Sequence, residues 1–540
     1  MSTIPVHIKD FCRRQLPMLA QVGGFALLLC AAASCNDFLS ELPDNRAEMD
    51  AKEKVTKLLT SAYPDINHCL LAEMSSDNTL ENTGSAWNSM LLQEQAYRWQ
   101  DITDTDIDSP SQLWNACYKA IASANHAIAA IEELGLADDM LPQRGEALLC
   151  RAYSHFVLVN IFCQHYSETY GDKDFGIPYM EGLETTVAPQ YERSTVAEVY
   201  RKINADIEEG LPLINDDIYA VPKYHFNRRA ACAFAARFNL YYRRYDKVVE
   251  YASQALSDNP ASLLRSWMTL GALSSGGNIR GNAFISSGEA ANFLLISSYS
   301  LWARVHGPLH AYERFTHNSR IAYYETCKVV SPWGHPANVH FAAPDFMNTP
   351  KVIMLKLSEY FELMDPVNGI GSPHIVLPVF TADETLLCRA EAYAMLKDYD
   401  NAVRDMSTFQ NAFTRAGTLS REMVNFWGAG EYWTDERPRY YSMAKPTPIK
   451  ELHPDFEVEA GEQENFIQTL LFMRRVLTIH EGLRWFDTKR YGITIYHYRV
   501  DSNDEIVSIN DYDALGRRDP RCAIQLPADV IAAGMKPNPR

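Results

Sequence analysis

Two distant segments of the sequence share one pattern of apolar and small residues, and this pattern constrains the fold more than any other feature. Residues 232–256 and 386–409 each contain two stretches in which apolar side chains recur three or four positions apart. This spacing places them on one face of an α-helix. Tyr245 and Tyr399 each begin a Tyr-Asp dipeptide at the junction of the two stretches. Each segment therefore predicts two amphipathic helices joined by a short turn.

Small or apolar side chains occupy matching positions in the two segments. Ala236 corresponds to Ala390, and Val248 corresponds to Ala402. Small residues let two antiparallel helices approach closely, as in tetratricopeptide repeats, whose unit is a helical pair. Generic helical hairpins are the alternative, but the shared turn favours tetratricopeptide-like pairs. Because the copies are far apart in the sequence, we expect long insertions between the repeats.

Three further segments in the first half are predicted to be helical. Residues 113–134 carry a single apolar stripe, and residues 144–162 continue with Ala and larger apolar side chains. Residues 194–211 begin with Ser-Thr, either of which can be the N-cap, and Glu198 follows as in a capping box. The sequence therefore predicts a mainly α fold.

The first 34 residues have the anatomy of a secretory signal. Lys9, Arg13 and Arg14 form a basic start, and residues 22–33 are apolar but fall short of the about 20 residues that a membrane-spanning helix needs. Three small residues precede Cys35, which resembles a bacterial lipobox with Ala in place of the usual Leu. We expect cleavage before Cys35 and lipid attachment to it. Ordinary cleavage beside an incidental Cys, or an uncleaved anchor, are the alternatives.

Charge and cysteine content exclude some function classes. The net charge is −18 at pH 7, and Lys and Arg form no run longer than short pairs. A nucleic-acid-binding surface needs clustered cations, so the sequence excludes this class. The eight cysteines that follow Cys35 include no C-x-x-C pair, which disfavours structural zinc, and their spacing assigns no disulfide.

Catalytic and metal-binding motifs are absent or incomplete. His480 and the Glu after it begin like an H-E-x-x-H zinc helix, but Arg484 stands where the second His is needed. The aspartates of residues 104–108 are spaced like the start of a calcium loop, but its Gly and its bidentate Glu are missing. We predict no enzyme activity, no cofactor and no bound metal. A glycoside hydrolase with two convergent carboxylates is the remaining enzymatic alternative.

Four parts of the chain together resemble the SusD/RagB family of outer-membrane nutrient-binding lipoproteins. They are SCNDFLSELPDNR (34–46), EALLCRAYSHFVLVNIFCQHY (146–166) followed by DFGIPY (174–179), RSTVAEVYRKINADIEEGL (193–211) and RRVLTIHEGLRWFDTKRYG (474–492). The resemblance implies a scaffold of four tetratricopeptide-like helical pairs that carries an irregular, loop-rich lobe. The charged residues of the last segment are spaced three or four apart, and we interpret them as a ladder that fixes this helix against the repeats.

The resemblance also implies a domain organisation. The predicted regions are a signal peptide (1–34), a lipid-anchored tether (35–55), an N-terminal SusD-like helical region (56–260), a loop-rich insertion (261–380) and a C-terminal SusD-like region with further repeat helices (381–540).

The function implied by the resemblance is that of a lipoprotein on the outer membrane that faces the cell exterior. It binds an oligomeric nutrient, a glycan first of all, and delivers it to a SusC-like TonB-dependent outer-membrane transporter. The alternatives are a peptide-binding RagB-like receptor and a helical-repeat adaptor lipoprotein that holds a protein partner.

Ligand-binding candidates are aromatic residues in the loop-rich segments, because a sugar needs flat aromatic surfaces with polar groups nearby. These candidates are Trp302, Trp333, Trp427, Tyr432 and Trp433. Trp87 and Asn88 join them because they resemble a Trp beside an Asn in the starch-binding member of the family. The alternative for each aromatic residue is packing of the loop lobe onto the scaffold.

Overall fold

The structure is a computed structural model, and it describes residues 52–83, 88–184, 190–310, 312–345, 347, 349–432, 437–501, 503, 505–508 and 514–540. The predicted signal peptide and Cys35 lie outside these residues.

α-Helices dominate the regular structure of residues 52–540, which belong to one compact unit. In chain order they are α1 (Lys52–Leu58), α2 (Cys69–Ser75), α3 (Leu91–Tyr97), α4 (Pro110–Glu133), α5 (Leu141–Phe162), α6 (Val196–Gly210), α7 (Arg228–Tyr241), α8 (Tyr245–Leu256), α9 (Trp267–Ala272), α10 (Ile279–Phe284), α11 (Trp302–Val305), α12 (Ser319–Glu325), α13 (Ala382–Met395), α14 (Tyr399–Phe413), α15 (Arg421–Gly428), α16 (Glu462–Leu477), α17 (Leu483–Arg490) and α18 (Ala528–Ala532). Among the described residues, no helix combines the length and the apolar character that a membrane span requires. The predicted mainly α fold is confirmed.

Helix starts follow the local sequence signals. The Ser109 hydroxyl accepts a hydrogen bond from the N–H of Gln112, and Pro110 occupies the first turn of α4, where a missing N–H costs nothing. The Thr195 hydroxyl accepts from the N–H of Glu198 at the start of α6. Of the two N-cap candidates at this position, Thr195 is the one used.

The two helical pairs predicted from the sequence are joined by turns of the same geometry. Arg243 and Lys397 occupy equivalent positions and adopt positive φ angles of 63° and 61°. In each turn the next residue donates its N–H to a carbonyl near the end of the first helix, at 2.9 Å from Arg244 and 2.8 Å from Asp398. This is the Schellman arrangement that ends a helix. The shared turn supports the assignment of α7–α8 and α13–α14 as two copies of one repeat.

These two pairs are neighbours in space although a long segment separates them in the sequence. α13 packs against both α7 and α8, and it also contacts α16, which in turn pairs with α15. The small residues at matching positions, Ala236, Ala390, Val248 and Ala402, are completely buried at these contacts. The inserted segment therefore leaves the stack of repeats intact.

Three small β-sheets accompany the helices. The first contains β3 (Phe315–Thr316), β1 (Leu80–Asn82), β7 (Arg499–Val500) and β8 (Ile506–Ser508), the second β2 (Asn292–Tyr299), β5 (Ile370–Thr381) and β4 (Tyr360–Asp365), and the third β6 (Ile495–Tyr496) and β9 (Ala514–Leu515), each in spatial order. β1 is antiparallel to β3 and parallel to β7.

The second sheet shows that the predicted loop-rich insertion is more regular than its composition suggests. β2 pairs in antiparallel register with residues 374–381 of β5, and β2 and the end of β5 lie largely buried against the scaffold. A strand buried on both faces lacks the alternation of apolar and polar residues by which strands are recognised. β5 ends at Thr381, whose hydroxyl caps α13, so the insertion passes directly into the second repeat.

The predicted charged ladder of α17 is structural, although most of its partners lie on other elements. Arg490 donates to Glu391 of α13 at 2.8 Å, and Asp487 accepts from Arg474 of α16 at 3.2 Å. Glu481 lies just before the helix and accepts from Lys356 at 2.7 Å. The side chains of the helix are buried, so the ladder fixes α17 against the repeats as predicted.

Arg484 extends this network to the first sheet. Its guanidinium donates two hydrogen bonds to Asp77, at 2.7 and 2.8 Å. Burial by itself would raise the pKa of Asp77, but Arg475 and Arg484 outweigh it and hold that pKa well below its usual range. Asp77 lies in the turn between α2 and β1, so this ion pair connects the C-terminal segment to the sheet.

Candidate functional site

Three of the aromatic candidates lie inside the protein. Trp302 is completely buried, and its Nε1 donates to the backbone oxygen of His480 at 2.7 Å. Trp333 and Trp427 are also buried, and both rings pack on Phe472 of α16, with centroids 5.4 and 4.7 Å away. None of these indoles presents a face to solvent, so the structure favours the packing alternative for all three.

Of the remaining aromatic candidates, the structure describes Tyr432 alone. Tyr432 is half-buried and stacks on Trp427 with the ring centroids 5.5 Å apart. It extends the packed layer toward the surface. Trp87 and Trp433 lie outside the described residues, and their predicted role in ligand contact stays a prediction.

Asn88 is exposed and lies beside an exposed aromatic residue that the sequence reasoning did not select. The N–H of Asn88 donates to the backbone oxygen of Tyr312 at 2.7 Å, and the N–H of Arg314 donates to the backbone oxygen of Asn88 at 2.9 Å. The Tyr312 side chain is 55% exposed. We call Asn88, Tyr312 and Arg314 the Asn88 face. Backbone hydrogen bonds thus join the chain segments that carry the exposed Asn88 and Tyr312.

Two buried ionisable side chains, Glu313 and Lys351, lie next to the Asn88 face. Glu313, between Tyr312 and Arg314, is buried and bonded to His310 at 3.0 Å. Burial raises the pKa of Glu313, although the positive charge of Lys351 acts in the opposite direction. Burial lowers the pKa of Lys351. The Lys351 ammonium donates to the backbone oxygens of Gly307 and His310 at 2.8 Å. These bonds fix the backbone that carries Tyr312.

A cluster of arginines and glutamates lies next to the Asn88 face. Glu81 of β1 is buried, and its carboxylate contacts Arg98, Arg314 and Arg499 at 3.1, 2.6 and 2.7 Å. Glu94 also contacts Arg98 and Arg314, at 3.5 and 3.4 Å, whereas Arg499 keeps 42% of its side chain exposed. A partly exposed guanidinium donates hydrogen bonds to hydroxyl or carboxylate oxygens. The Asn88 face is therefore suited to a ligand rich in oxygen.

Tyr312 was missed because the sequence offers no signal that separates it from its neighbours. The segment around it also contains Trp302, and a large aromatic residue in a loop gives no indication of its direction. Helical periodicity is more informative for Phe426: it is one position from Trp427 on α15, so the two side chains point in different directions. The Phe426 ring is 49% exposed.

The described residues contain no group of three or more His, Cys, Asp and Glu side chains arranged to hold a metal ion. The cysteines in the described part of the chain are all free thiols, and all except Cys327 are buried. The thiols thus behave as small apolar side chains.

Part of this chain matches a known protein family. Residues 37–240 match a family model named SusD-like and described as starch-binding, associating with outer membrane. No curated protein matches the chain.

Solved structures share the fold over most of its length. A putative sugar binding protein from Bacteroides vulgatus has a TM-score of 0.61 at 17% identity, covering 90% of this chain and 97% of that one. A SusD-like carbohydrate binding protein from the same species has a TM-score of 0.60 at 14% identity, covering 89% and 96%. A SusD superfamily protein from Bacteroides thetaiotaomicron has a TM-score of 0.57 at 16% identity, covering 90% and 99%.

These structural likenesses show a common fold, and the family match adds a relationship in sequence. The repeated helical pairs and the helical scaffold agree with both. The resemblance found in the sequence is confirmed over residues 37–240, which match the SusD-like family model described as starch-binding, associating with outer membrane.

Proposed function

We propose that the protein is a lipid-anchored receptor of the outer membrane that binds an oligomeric glycan and passes it to a SusC-like TonB-dependent transporter. The observation that carries the proposal is the family match over residues 37–240, whose description names both starch binding and the outer membrane. Two of the solved structures that share the fold are described as sugar-binding or carbohydrate-binding proteins.

The Asn88 face is the proposed binding surface. An exposed Tyr ring provides a flat apolar surface for the C–H face of a sugar, and the adjacent Asn amide and Arg guanidinium provide donors for its hydroxyl oxygens. Trp87 precedes Asn88 directly in the sequence, so its predicted ligand contact belongs to the same proposal. Binding proceeds by stacking and hydrogen bonding, without cleavage of the glycan.

Binding is tested by affinity electrophoresis in gels that contain amylopectin, arabinoxylan, galactan or polygalacturonate. We expect at least one of these polysaccharides to retard the protein, and Tyr312→Ala and Asn88→Ala to reduce that retardation. Tyr224→Ala is the matched control, because Tyr224 is also an exposed tyrosine but lies on the segment before α7. Retardation by none of the four polysaccharides would contradict glycan binding.

The same polysaccharides test whether the protein is a glycoside hydrolase. We expect incubation with purified protein to release no oligosaccharides, as measured by chromatography. Release of products would replace the receptor with an enzyme.

Peptide binding and protein scaffolding are the competing functions. An adaptor would use a concave surface of stacked repeats. The α7–α8 and α13–α14 pairs are neighbours in space although more than one hundred residues separate them in the sequence, so the adaptor needs a test of its own, which is copurification of a protein partner in the absence of glycan. A peptide receptor is tested by calorimetry with a library of short peptides. Peptide binding that Tyr312→Ala weakens, with no retardation by polysaccharides, would favour the RagB-like alternative.

Membrane attachment and transporter delivery need separate tests. We expect the Cys35→Ala variant to leave the outer-membrane fraction, because a membrane anchor of acyl chains depends on this thiol. We also expect a tagged protein to copurify with a TonB-dependent transporter encoded beside it. An unchanged distribution of Cys35→Ala would contradict the lipid anchor without affecting the binding test.

A further inference from the structure

A second surface, on the last helical pair of the scaffold, has features of a ligand site. An open groove with a volume of about 510 Å³ lies between α15 and the start of α16. Volumes of about 300 to 1,000 Å³ are typical of ligand pockets. Its described lining includes Arg421, Asn425, Phe426, Glu431 and Glu462, and we call it the Phe426 groove.

The periodicity of α15 gives the groove an exposed aromatic ring. Val424 and Trp427 face the core and are buried, whereas Phe426 is 49% exposed. Met423 shares the outer side of the helix and is 41% exposed, but it does not line the groove. An aromatic ring on a helix anchored by a buried Trp is a rigid stacking surface.

The turn after α15 places a carboxylate next to this ring. Gly430 adopts a φ of 76°, in the left-handed region that favours glycine. Its N–H donates to the backbone oxygen of Trp427 at 2.9 Å, and the N–H of Glu431 donates to the backbone oxygen of Phe426 at 3.1 Å. This Schellman turn fixes Glu431 beside Phe426.

The polar side of the groove is organised by hydrogen bonds among its own side chains. Arg421 donates two bonds of 2.7 Å to Glu462, and the amide of Asn425 donates to the same carboxylate at 2.8 Å. Asn465 donates to the Asn425 oxygen at 3.2 Å. Groups held in this way keep their positions when a ligand arrives, which lowers the entropic cost of binding.

The charges of the groove indicate the class of ligand. Arg421 is the one cation among the described residues that line it, and its guanidinium is bound to Glu462. Glu422 and Glu431 add two further negative charges. An acidic sugar or a phosphate would meet these carboxylates, whereas the hydroxyls of a neutral sugar donate hydrogen bonds to them.

The secondary structure of the groove argues against an extended peptide. The described lining lies on α15, on the turn after it and on α16, so this part of the groove offers no strand edge with which the backbone of a peptide pairs. A sugar ring fits this lining better. Its apolar face can stack on Phe426, and its hydroxyls can bond to Glu431 and Asn425.

We propose that the Phe426 groove is a second binding surface for neutral glycans, separate from the Asn88 face. The proposal rests on the proposed glycan-binding function. Phe426 provides the stacking surface, Glu431 accepts hydroxyl hydrogen bonds, and the Arg421–Glu462–Asn425 network holds the polar side in place.

Affinity electrophoresis with amylopectin, arabinoxylan, galactan and polygalacturonate tests this surface through two variants and a control. We expect Phe426→Ala to weaken binding of the neutral polysaccharide that retards the wild type about tenfold, as for loss of one stacking contact. Glu431→Gln keeps the size of the side chain and is expected to weaken it about threefold, in line with one neutral hydrogen bond. Met423→Ala removes an equally exposed apolar side chain from the same helix and is expected to leave binding unchanged.

The outcomes separate this inference from the function on which it rests. Retardation of the wild type that Phe426→Ala leaves unchanged would overturn the groove while glycan binding stands. Retardation by polygalacturonate alone, lost in Phe426→Ala, would overturn the neutral ligand class. Binding of a basic peptide that depends on Phe426 would replace the glycan with a peptide. Absence of retardation by all four polysaccharides would remove the proposed function and this inference together.

Discussion

The Asn88 face and the Phe426 groove both combine an exposed aromatic ring with polar side chains. They differ in charge and in the elements of the fold that form them. The Asn88 face consists of two chain segments joined by a short β-bridge, next to three arginines that share Glu81. The Phe426 groove lies on one helical pair and is rich in carboxylates. Guanidinium groups lie near the first surface, whereas carboxylates outnumber the one described cation of the second. A long glycan that binds both proposed surfaces would contact the protein at two places.

The largest expected difference between the two regions concerns stability. Asp77→Asn leaves Arg484 buried without its bidentate carboxylate on the side of the Asn88 face, and we expect a loss of about 3–5 kcal/mol in the free energy of unfolding. Arg421→Gln breaks a pair whose side chains are 41% and 33% exposed, where surface pairs contribute about 1 kcal/mol or less. Urea denaturation measures both. Equal losses would show that burial does not distinguish the regions.

Acidification is expected to have the second-largest effect on stability, after Asp77→Asn, because the protein contains buried histidines. Burial lowers the pKa of His68, His155 and His317 to about 3, below the usual value of 6.5. The folded state therefore binds fewer protons than the unfolded state between about pH 6.5 and 3, and stability falls as the pH falls through this range. Each group contributes up to about 1.4 kcal/mol per pH unit.

Buried carboxyl groups with a raised pKa, among them Glu73 and Asp108, act in the opposite direction. Burial raises the pKa of Glu73 and of Asp108 to about 7, so their contribution is complete below their unfolded pKa values and is lost as the pH rises toward 7. Urea midpoints measured at pH 7, 6 and 5 give the balance. We expect them to fall because the described histidines with a lowered pKa outnumber the described carboxyl groups whose pKa burial raises. His317 belongs to the side of the Asn88 face, where it bonds to Asn78, whereas no histidine is among the described residues that line the groove. A rising midpoint on acidification would contradict this account.

Independence of the two surfaces is the third prediction. Tyr312→Ala and Phe426→Ala are each expected to weaken binding of a neutral polysaccharide about tenfold. If the surfaces act separately, the two losses of free energy add within about 0.5 kcal/mol in the double variant. Affinity electrophoresis of the four proteins gives the coupling. A double variant no weaker than either single one would show that one surface alone binds the ligand.

The smallest expected effect comes from the turn that positions Glu431. Gly430→Ala forces a side chain into the left-handed region and brings its Cβ to 3.2 Å from Arg439, so we expect a stability loss of about 1 kcal/mol and weaker binding of neutral glycans. Gly430→Asn is the matched control, because Asn tolerates this backbone conformation better. Equal glycan binding by both variants and the wild type would show that this turn does not position the ligand contact.

Sequence reasoning was most successful where neighbouring residues determine the structure. Thr195 is one of the two N-caps predicted for α6, and the turns at Arg243 and Lys397 support the repeat inferred from spacing and from the shared Tyr-Asp dipeptide. Caps, turns and helical periods depend on contacts within a few residues. The strands β2 and β5 were missed because their burial comes from distant parts of the chain.

The candidate site shows the limit more clearly. Trp302, Trp333 and Trp427 were selected because they are large and aromatic, and all three are buried. Tyr312 and Phe426 are exposed, although nothing in their immediate sequence marks them as more accessible than these tryptophans. The side on which an aromatic residue lies depends on which elements pack against it, and for loops this is decided by the whole fold.

By itself, the sequence determined the class of the protein: helical pairs, a signal-like start that ends at Cys35, and motifs shared with the SusD-like family. Only the tertiary structure decided which aromatic side chains face solvent, that Asp77 pairs with Arg484 across more than four hundred residues, and that α7–α8 and α13–α14 are neighbours. The physical reason is the range of the interactions. Helix formation and capping are local, whereas burial and ion pairing depend on chain segments that only the folded state brings together.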